Sequence, residues 1–386
     1  MLKAQLARAV GLWRYDRDNL LQKVRKKLRN KVPLDKMLLS SGRAFWPVNL
    51  TFEITHLCNL SCYMCDLYGT DAPLATARAE HYRQEELLTL TDLERVAREV
   101  AAFKPSIALT GGEPLISPLS LPFIRACRRE GLVTTMTCNG MLLEAKAAEV
   151  VTSGLNTLTL SLDGVGAVHD HVRGKEGSFA RLDAALSAVQ REKVASQSGT
   201  PSIQFNVTIT SRNQGRLHEI LEYAVSRGVH RVIFSHLWYW DEPMVKKHNA
   251  LWGHIAPAEV QNLRALEGLD IGKVTADLER IRTSPLRDRV DVKFLPDIDE
   301  DGIRSYYTRS MDVVRPSAHC LSPWMNTRIL PNGDVIPCLD SRWGNLRTQS
   351  FGEVWNSKTA MAFRVALRDE GVWPGCMRCC GLYSYE

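Results

Sequence analysis

Three cysteines within eight residues, Cys58-Asn-Leu-Ser-Cys62-Tyr-Met-Cys65, constrain this chain more than any other feature. They fall at i, i+4 and i+7, just after the apolar, strand-like run Val48 to Ile54. Thiolates are soft ligands that suit iron–sulfur clusters or zinc. Three of them on one loop hold three irons of a cubane cluster and leave the fourth open. An open position is what a catalytic metal keeps for substrate or cofactor. Structural zinc normally uses paired C-x2-C knuckles and four ligands, and the step from Cys58 to Cys62 is wider than that.

The rest of the chain sets bounds on this reading. Its 386 residues allow one large domain with one or two small ones. At 45% hydrophobic and 24% charged residues it reads as an ordinary globular protein. No window approaches 18 uninterrupted apolar residues, and the N-terminus lacks an apolar signal core, so neither a transmembrane helix nor a secretory signal is expected. Ten cysteines, grouped as C-x3-C-x2-C and C-x2-C-C, point to metal binding in a reducing, cytoplasmic setting rather than to disulfides. Residues 1–47 carry 12 Lys and Arg against 3 Asp, a net of +9, although the whole chain is only +6. A basic arm on a mildly acidic body is not the pattern of a nucleic-acid-binding enzyme.

Hydrophobic spacing predicts a helix over 1–30 that either packs on the main domain with its basic face, Lys23 to Lys31, in solvent, or offers that face to an acidic partner or anionic membrane surface. From Val48 to His236, strands and helices alternate. Strands are expected at Asn49–Thr55, Ser106–Thr110, Val133–Thr137, Asn156–Leu162, Ile203–Ile209 and Arg231–His236. Helices are expected from a capping box at Thr91–Glu94 to about Phe103, and at Leu119–Arg129, Leu142–Val151, Phe179–Val194 and Leu217–Arg227. Such alternation implies a parallel sheet with helices outside, and ligands at the carboxyl ends of the strands. Beyond it, helices are expected at Pro257–Leu266 and Val274–Ile281, and one more strand at Val290–Leu295. The aromatic run Trp238–Trp240 either lines a pocket or packs in the core.

The C-x3-C-x2-C loop after a first strand resembles the radical S-adenosylmethionine (radical SAM) enzymes. That resemblance implies a partial (β/α)6 barrel. It also implies a 4Fe–4S cluster on Cys58, Cys62 and Cys65 whose open iron is chelated by SAM, and one-electron cleavage of SAM to a 5′-deoxyadenosyl radical. An aromatic residue usually precedes the third cysteine and contacts adenine. Here Met64 stands there, with Tyr63 one step earlier.

Gly111-Gly112-Glu113-Pro114 follows the second strand and resembles the motif that binds the SAM amino group in that family. Its glycines would let a ligand approach the backbone, and Glu113 offers a carboxylate to an amine. Taken alone, the same residues make a turn. Ser161 and Asp163 share one face at the end of the fourth strand, where the family contacts the SAM ribose or carboxylate. Arg173 resembles a carboxylate-gripping arginine, and otherwise makes a loop salt bridge. Asn139, Asn206 and Ser235 sit at strand ends, as cofactor contacts or as caps. His169 and His171, on the same loop as Arg173, read as neighbours of SAM rather than as metal ligands. Cys127 and Cys138 stand apart from both cysteine sets.

A second set, Cys320, Cys338, Cys376 and Cys379, lies in the last 67 residues, with Cys380 as a spare that can replace Cys379. Asn332-Gly333 signals a two-residue hairpin with a cysteine at each base. The set resembles the SPASM or twitch region of radical SAM enzymes and implies one auxiliary 4Fe–4S cluster, with structural zinc as the other reading. The organisation expected is therefore a basic arm at 1–47, a radical SAM core at 48–236, a linking stretch at 237–313 and an auxiliary-cluster region at 314–386. Its implied electron donor is a flavodoxin or ferredoxin. The expected reaction is hydrogen abstraction from a small natural-product intermediate. The alternatives are a peptide or protein maturase and, outside catalysis, an iron–sulfur or zinc protein.

Overall fold

A computed structural model describes residues 41–65, 87–261, 263–308, 311, 320–338 and 341–383. The helix expected at 1–30 and its basic face lie outside these residues, as does most of the polar stretch that follows the cysteine loop.

Seven strands lie parallel and in chain order: β1 (Asn49–Thr55), β2 (Ser106–Gly111), β3 (Val133–Cys138), β4 (Thr157–Ser161), β5 (Ser202–Ile209), β6 (Arg231–His236) and β7 (Asp291–Leu295). Between them run α1 (Leu90–Val100), α2 (Ser120–Arg129), α3 (Ala147–Thr152), α4 (Ala167–Arg173), α5 (Ser178–Ala195), α6 (Leu217–Ser226), α7 (Glu242–Trp252) and α8 (Ile271–Thr283). The six-strand series is present, and the seventh strand extends it.

Strand alternation explains the layering. Along β5, Ile203, Phe205, Val207 and Ile209 are buried, while Gln204, Asn206 and Thr208 are half-buried. The apolar side packs on the helices: Phe52 meets Phe123 of α2 edge-on at 4.9 Å, and Phe205 stacks on Tyr223 of α6 at 5.9 Å. The other side is polar and bonded across strands, as where Gln204 Nε2 donates to Thr159 Oγ1 at 2.8 Å. A parallel sheet covered on both faces is usually apolar on both. This one keeps a polar inner face, as a sheet curved around a ligand requires.

The C-terminal part continues the same sheet. After α9 (Glu300–Thr308) and α10 (Ser322–Met325), β8 (Asn326–Ile329) pairs parallel with β1, and β9 (Asp334–Ile336) and β10 (Gly344–Asn345) follow antiparallel. Helices α11 (Phe351–Trp355), α12 (Lys358–Glu370) and α13 (Cys380–Tyr383) complete the chain. The sheet runs β10-β9-β8-β1-β2-β3-β4-β5-β6-β7, with β10 and β7 at its ends, so the barrel is partial.

Several local expectations change. The α1 capping box is Thr89 with Asp92, two residues earlier than expected. Of the segment Leu142–Val151 only the part from Ala147 on is helical, and the helix continues to Thr152. The segment holding His169 and Arg173 is the helix α4, not a loop. Pro257–Leu266 forms no α-helix because tertiary bonds take its backbone: Gln261 bridges Trp240, and the Asn249 side chain holds Ala258 through both its amide groups. The unforeseen α7 had a readable start, Asp241 capping the Met244 amide with Pro243 in its first turn. The hairpin loop has three residues, not two. Gly333 N donates to Leu330 O, Leu330 N donates to Asp334 O, and only Gly333 has positive φ, +88°. Pro331 suits the second position of a type I turn, and Gly333 takes the left-handed position after it.

Candidate active site

The cysteine loop leaves the carboxyl end of β1 and is clamped to β2. Gly112 N donates to Thr55 O and Glu113 N to Leu57 O, both at 2.8 Å. A Cβ on Gly111 would lie 2.2 Å from Thr55 O, and one on Gly112 2.1 Å from Leu57 O. The space that these glycines leave is thus filled by the base of the cysteine loop, whereas the sequence suggested a ligand there. On its other side the loop meets α4, where Tyr63 N donates to Val172 O at 2.9 Å. Tyr63 also donates its hydroxyl to Arg264 O at 2.7 Å and lies under the Arg212 guanidinium at 3.4 Å. Cys58, Met64 and Cys65 pack against Leu60, Cys62 and Met141.

Glu113 is fully buried. Its carboxylate accepts from Leu115 N at 3.0 Å and Asn139 N at 2.7 Å, and Pro114 begins the short turn beneath it. Burial raises its pKa, and the amides of Asn139 and Leu115 oppose that. The carboxylate therefore joins the ends of β2 and β3. Cys138, which the sequence left apart, hydrogen-bonds to it from the end of β3. Asn139 reaches the loop itself, donating to Asn59 Oδ1 at 2.8 Å with its Nδ2 3.9 Å from Cys58 Sγ.

Asp163 and Arg173 form one unit. Arg173 Nη2 is 2.6 Å from Asp163 Oδ2, and Nη1 is 3.7 Å from Cys62 Sγ. Thr208 N donates to the other Asp163 oxygen at 2.7 Å. Burial opposes the Arg173 charge, but Asp163 and Cys62 outweigh it and hold the guanidinium protonated. Arg173 was expected on a cofactor carboxylate; here it pairs with a protein carboxylate and faces a thiol of the loop. His169 is buried behind it and accepts from Asp163 N at 3.2 Å, and burial lowers its pKa to about 3. His171, two residues on, is exposed, so the two imidazoles point apart. On the inner face Ser161 pairs with Asn206 in register, and Ser235 Oγ donates to Asn206 Oδ1 at 3.3 Å. Those three form their own cross-strand group.

The second thiol set gathers from three segments. Cys320 precedes α10, Cys338 follows β9, and Cys376 and Cys379 flank a turn held by Arg378. Arg378 is fully buried, donating to Tyr306 O at 2.6 Å and to Met377 O at 2.8 Å. Its place between the two cysteines was the sequence signal for it. Trp240 Nε1 adds a bond to Gly375 O at 2.6 Å, so Trp240 belongs to the core, while Trp238 is partly exposed. Burial pushes the Cys338 thiol up, and Cys376, Cys379 and Cys320 push it further, so all four are electrostatic neighbours. Burial likewise raises Cys320 to about 12. Cys379 goes the other way, to about 7, chiefly through a hydrogen bond from Cys380.

Among the described residues no three His, Cys, Asp or Glu side chains converge as ligands of one metal ion. Cubane thiolates each bind a different iron and stand farther apart than ligands of one zinc, about 2.3 Å from their metal. Three thiols beside a guanidinium, and four neighbouring thiols that are buried or half-buried, are donor sets that fit anionic clusters.

Comparison with known proteins agrees. The Radical SAM superfamily model matches residues 52–224, and the SPASM model, an iron-sulfur cluster-binding domain, matches residues 320–380. Pre-heme d1 synthase of Dinoroseobacter shibae is 26% identical over 190 residues, 49% of this chain but only 43% of that protein. PqqA peptide cyclase of Methylocella silvestris is 26% identical over 329 residues, 82% of this chain and 76% of the cyclase. The crystal structure of Streptococcus suis SuiB bound to precursor peptide SuiA shares the fold at a TM-score of 0.61 and 14% identity, over 89% of this chain and 78% of that one. The chain is an enzyme that carries a radical SAM domain. It carries a SPASM region, and its cofactors are a 4Fe–4S cluster, SAM and auxiliary iron–sulfur. No described helix is long and apolar enough to cross a membrane.

Proposed function

We propose that this enzyme abstracts hydrogen from a small, polar biosynthetic intermediate held on the inner face of the sheet. The supporting observation is the placement of Arg173 between Asp163 and Cys62, beside a loop of three thiols above that polar face. Cys58, Cys62 and Cys65 would hold the cluster, and Cys320, Cys338, Cys376 and Cys379 the auxiliary one. Together with SAM, the first cluster supplies a 5′-deoxyadenosyl radical when reduced. The chain's own part is to fix and shield that chemistry. Gly112 and Glu113 pin the loop by their amides, Arg173 brings positive charge to the thiolates, and Asp163 orients Arg173. Asn139 and Met64 would contact SAM beside the loop. Ser161, Asn206 and Ser235 offer hydroxyl and amide groups to a polar substrate. A low-potential flavodoxin or ferredoxin is the electron donor, and an acidic partner or anionic membrane surface suits the basic arm.

A peptide substrate is the second reading, favoured by the alignment with PqqA peptide cyclase over most of both chains. Incubating the reduced, reconstituted enzyme with SAM tests the core: 5′-deoxyadenosine is expected. Its absence would sink both readings and leave a non-catalytic iron–sulfur protein.

A further inference from the structure

A buried carboxylate on β1 sits between the two thiol sites, with an imidazole on one side and a guanidinium on the other. Glu53, 6% exposed, pairs with His56 Nε2 at 2.9 Å and with Arg328 Nε at 3.3 Å. His56 lies two residues before Cys58, at the start of the radical-site loop. Arg328 lies on β8 opposite Thr51 of β1, and on its other side it pairs with Ile336 of β9, two residues before Cys338. The inner face of β1 therefore carries one charged row between the sites. Arg328 also acts electrostatically on Cys338, Cys379 and Cys380.

We propose that Arg328 is a positioning residue that sets the reduction potential of the auxiliary site, and that Glu53 fixes its place and offsets part of its charge. The physics is direct. A cluster on four thiolates is anionic and gains negative charge on reduction. A nearby guanidinium favours the reduced form and raises the potential, and a nearby carboxylate does the reverse. The inference rests on reading Cys320, Cys338, Cys376 and Cys379 as the auxiliary ligands.

The test uses the full chain with Cys58, Cys62 and Cys65 replaced by Ala, so that only the auxiliary site carries iron, and reads its midpoint by EPR-monitored titration. Arg328→Gln should lower the midpoint, Glu53→Gln should raise it, and Arg328→Lys should stay close to the parent. A structural role alone would not produce shifts of opposite sign. Midpoints that stay put, or that move in one direction for both Arg328→Gln and Glu53→Gln, overturn the proposal. Should Arg328→Gln lose its iron, Glu53→Gln against Arg328→Lys decides: no upward shift in Glu53→Gln is equally fatal. A parent without iron would instead refute the ligand assignment beneath it, whatever the radical site does.

Discussion

Cys58, Cys62 and Cys65 come from one loop of eight residues, whereas Cys320, Cys338, Cys376 and Cys379 come from three segments that the fold must bring together. The first loop leaves the carboxyl ends of the parallel strands and faces a guanidinium. The second set lies near the start of β8 and the end of β9, and its thiols are pushed up by burial and by one another, except Cys379. Three contiguous thiols leave a metal position for a ligand; four gathered thiols close one. The difference separates a site for chemistry from a site for charge.

Substitutions that strike one site and spare the other sharpen this contrast most. Cys58→Ala should abolish 5′-deoxyadenosine formation, a loss of about a thousandfold or more by chromatography, since the cofactor carries the hard chemistry. Cys338→Ala should retain much of that cleavage while blocking product. Equal loss in both variants would erase the distinction.

Gly112→Ala comes next. Its Cβ would stand 2.1 Å from Leu57 O, so the base of the loop must move, at a cost of about 2 kcal/mol or more. Iron bound per chain should fall by about half, with the auxiliary signal kept in EPR. Asp163→Asn breaks a buried pair and should destabilise the apoprotein by about 3 kcal/mol in denaturant unfolding, with weaker SAM binding by calorimetry.

The last effect concerns acid. Burial holds His169, behind the radical site, and His236, beside the Tyr306–Tyr307 pair, at about 3 instead of 6.5. Between those values the unfolded chain binds protons that the folded chain refuses, so stability is present above pH 6.5 and falls as pH drops towards 3. Each contributes a slope of about 1.4 kcal/mol per pH unit. His236→Asn should remove one such slope in denaturant titrations at stepped pH; an unchanged slope would mean that the imidazole is protonated in the fold.

The strand series and both cysteine sets were readable in the sequence because each is a short-range pattern. Alternating apolar residues mark a strand, and ligands on one loop keep their spacing whatever surrounds them. The misreadings arose where distant residues took over the backbone. Asn249 and Trp240 unmade the helix expected at Pro257–Leu266. Asp163 drew His169 into the interior on α4. Cys138 looked isolated in the sequence because its partner, Glu113, lies just past the end of the neighbouring strand.

What this sequence determined by itself was the donor chemistry: which residues are thiols, how three of them are spaced, and that an alternating chain must bury one face of each strand. Tertiary structure decided how charge is distributed around those thiols. Arg173 faces Cys62 because Asp163 and Thr208 hold it there, and Arg328 meets Glu53 because β8 pairs with β1. Local composition can specify a ligand, but an electrostatic field is a sum over neighbours that only the folded chain brings within reach.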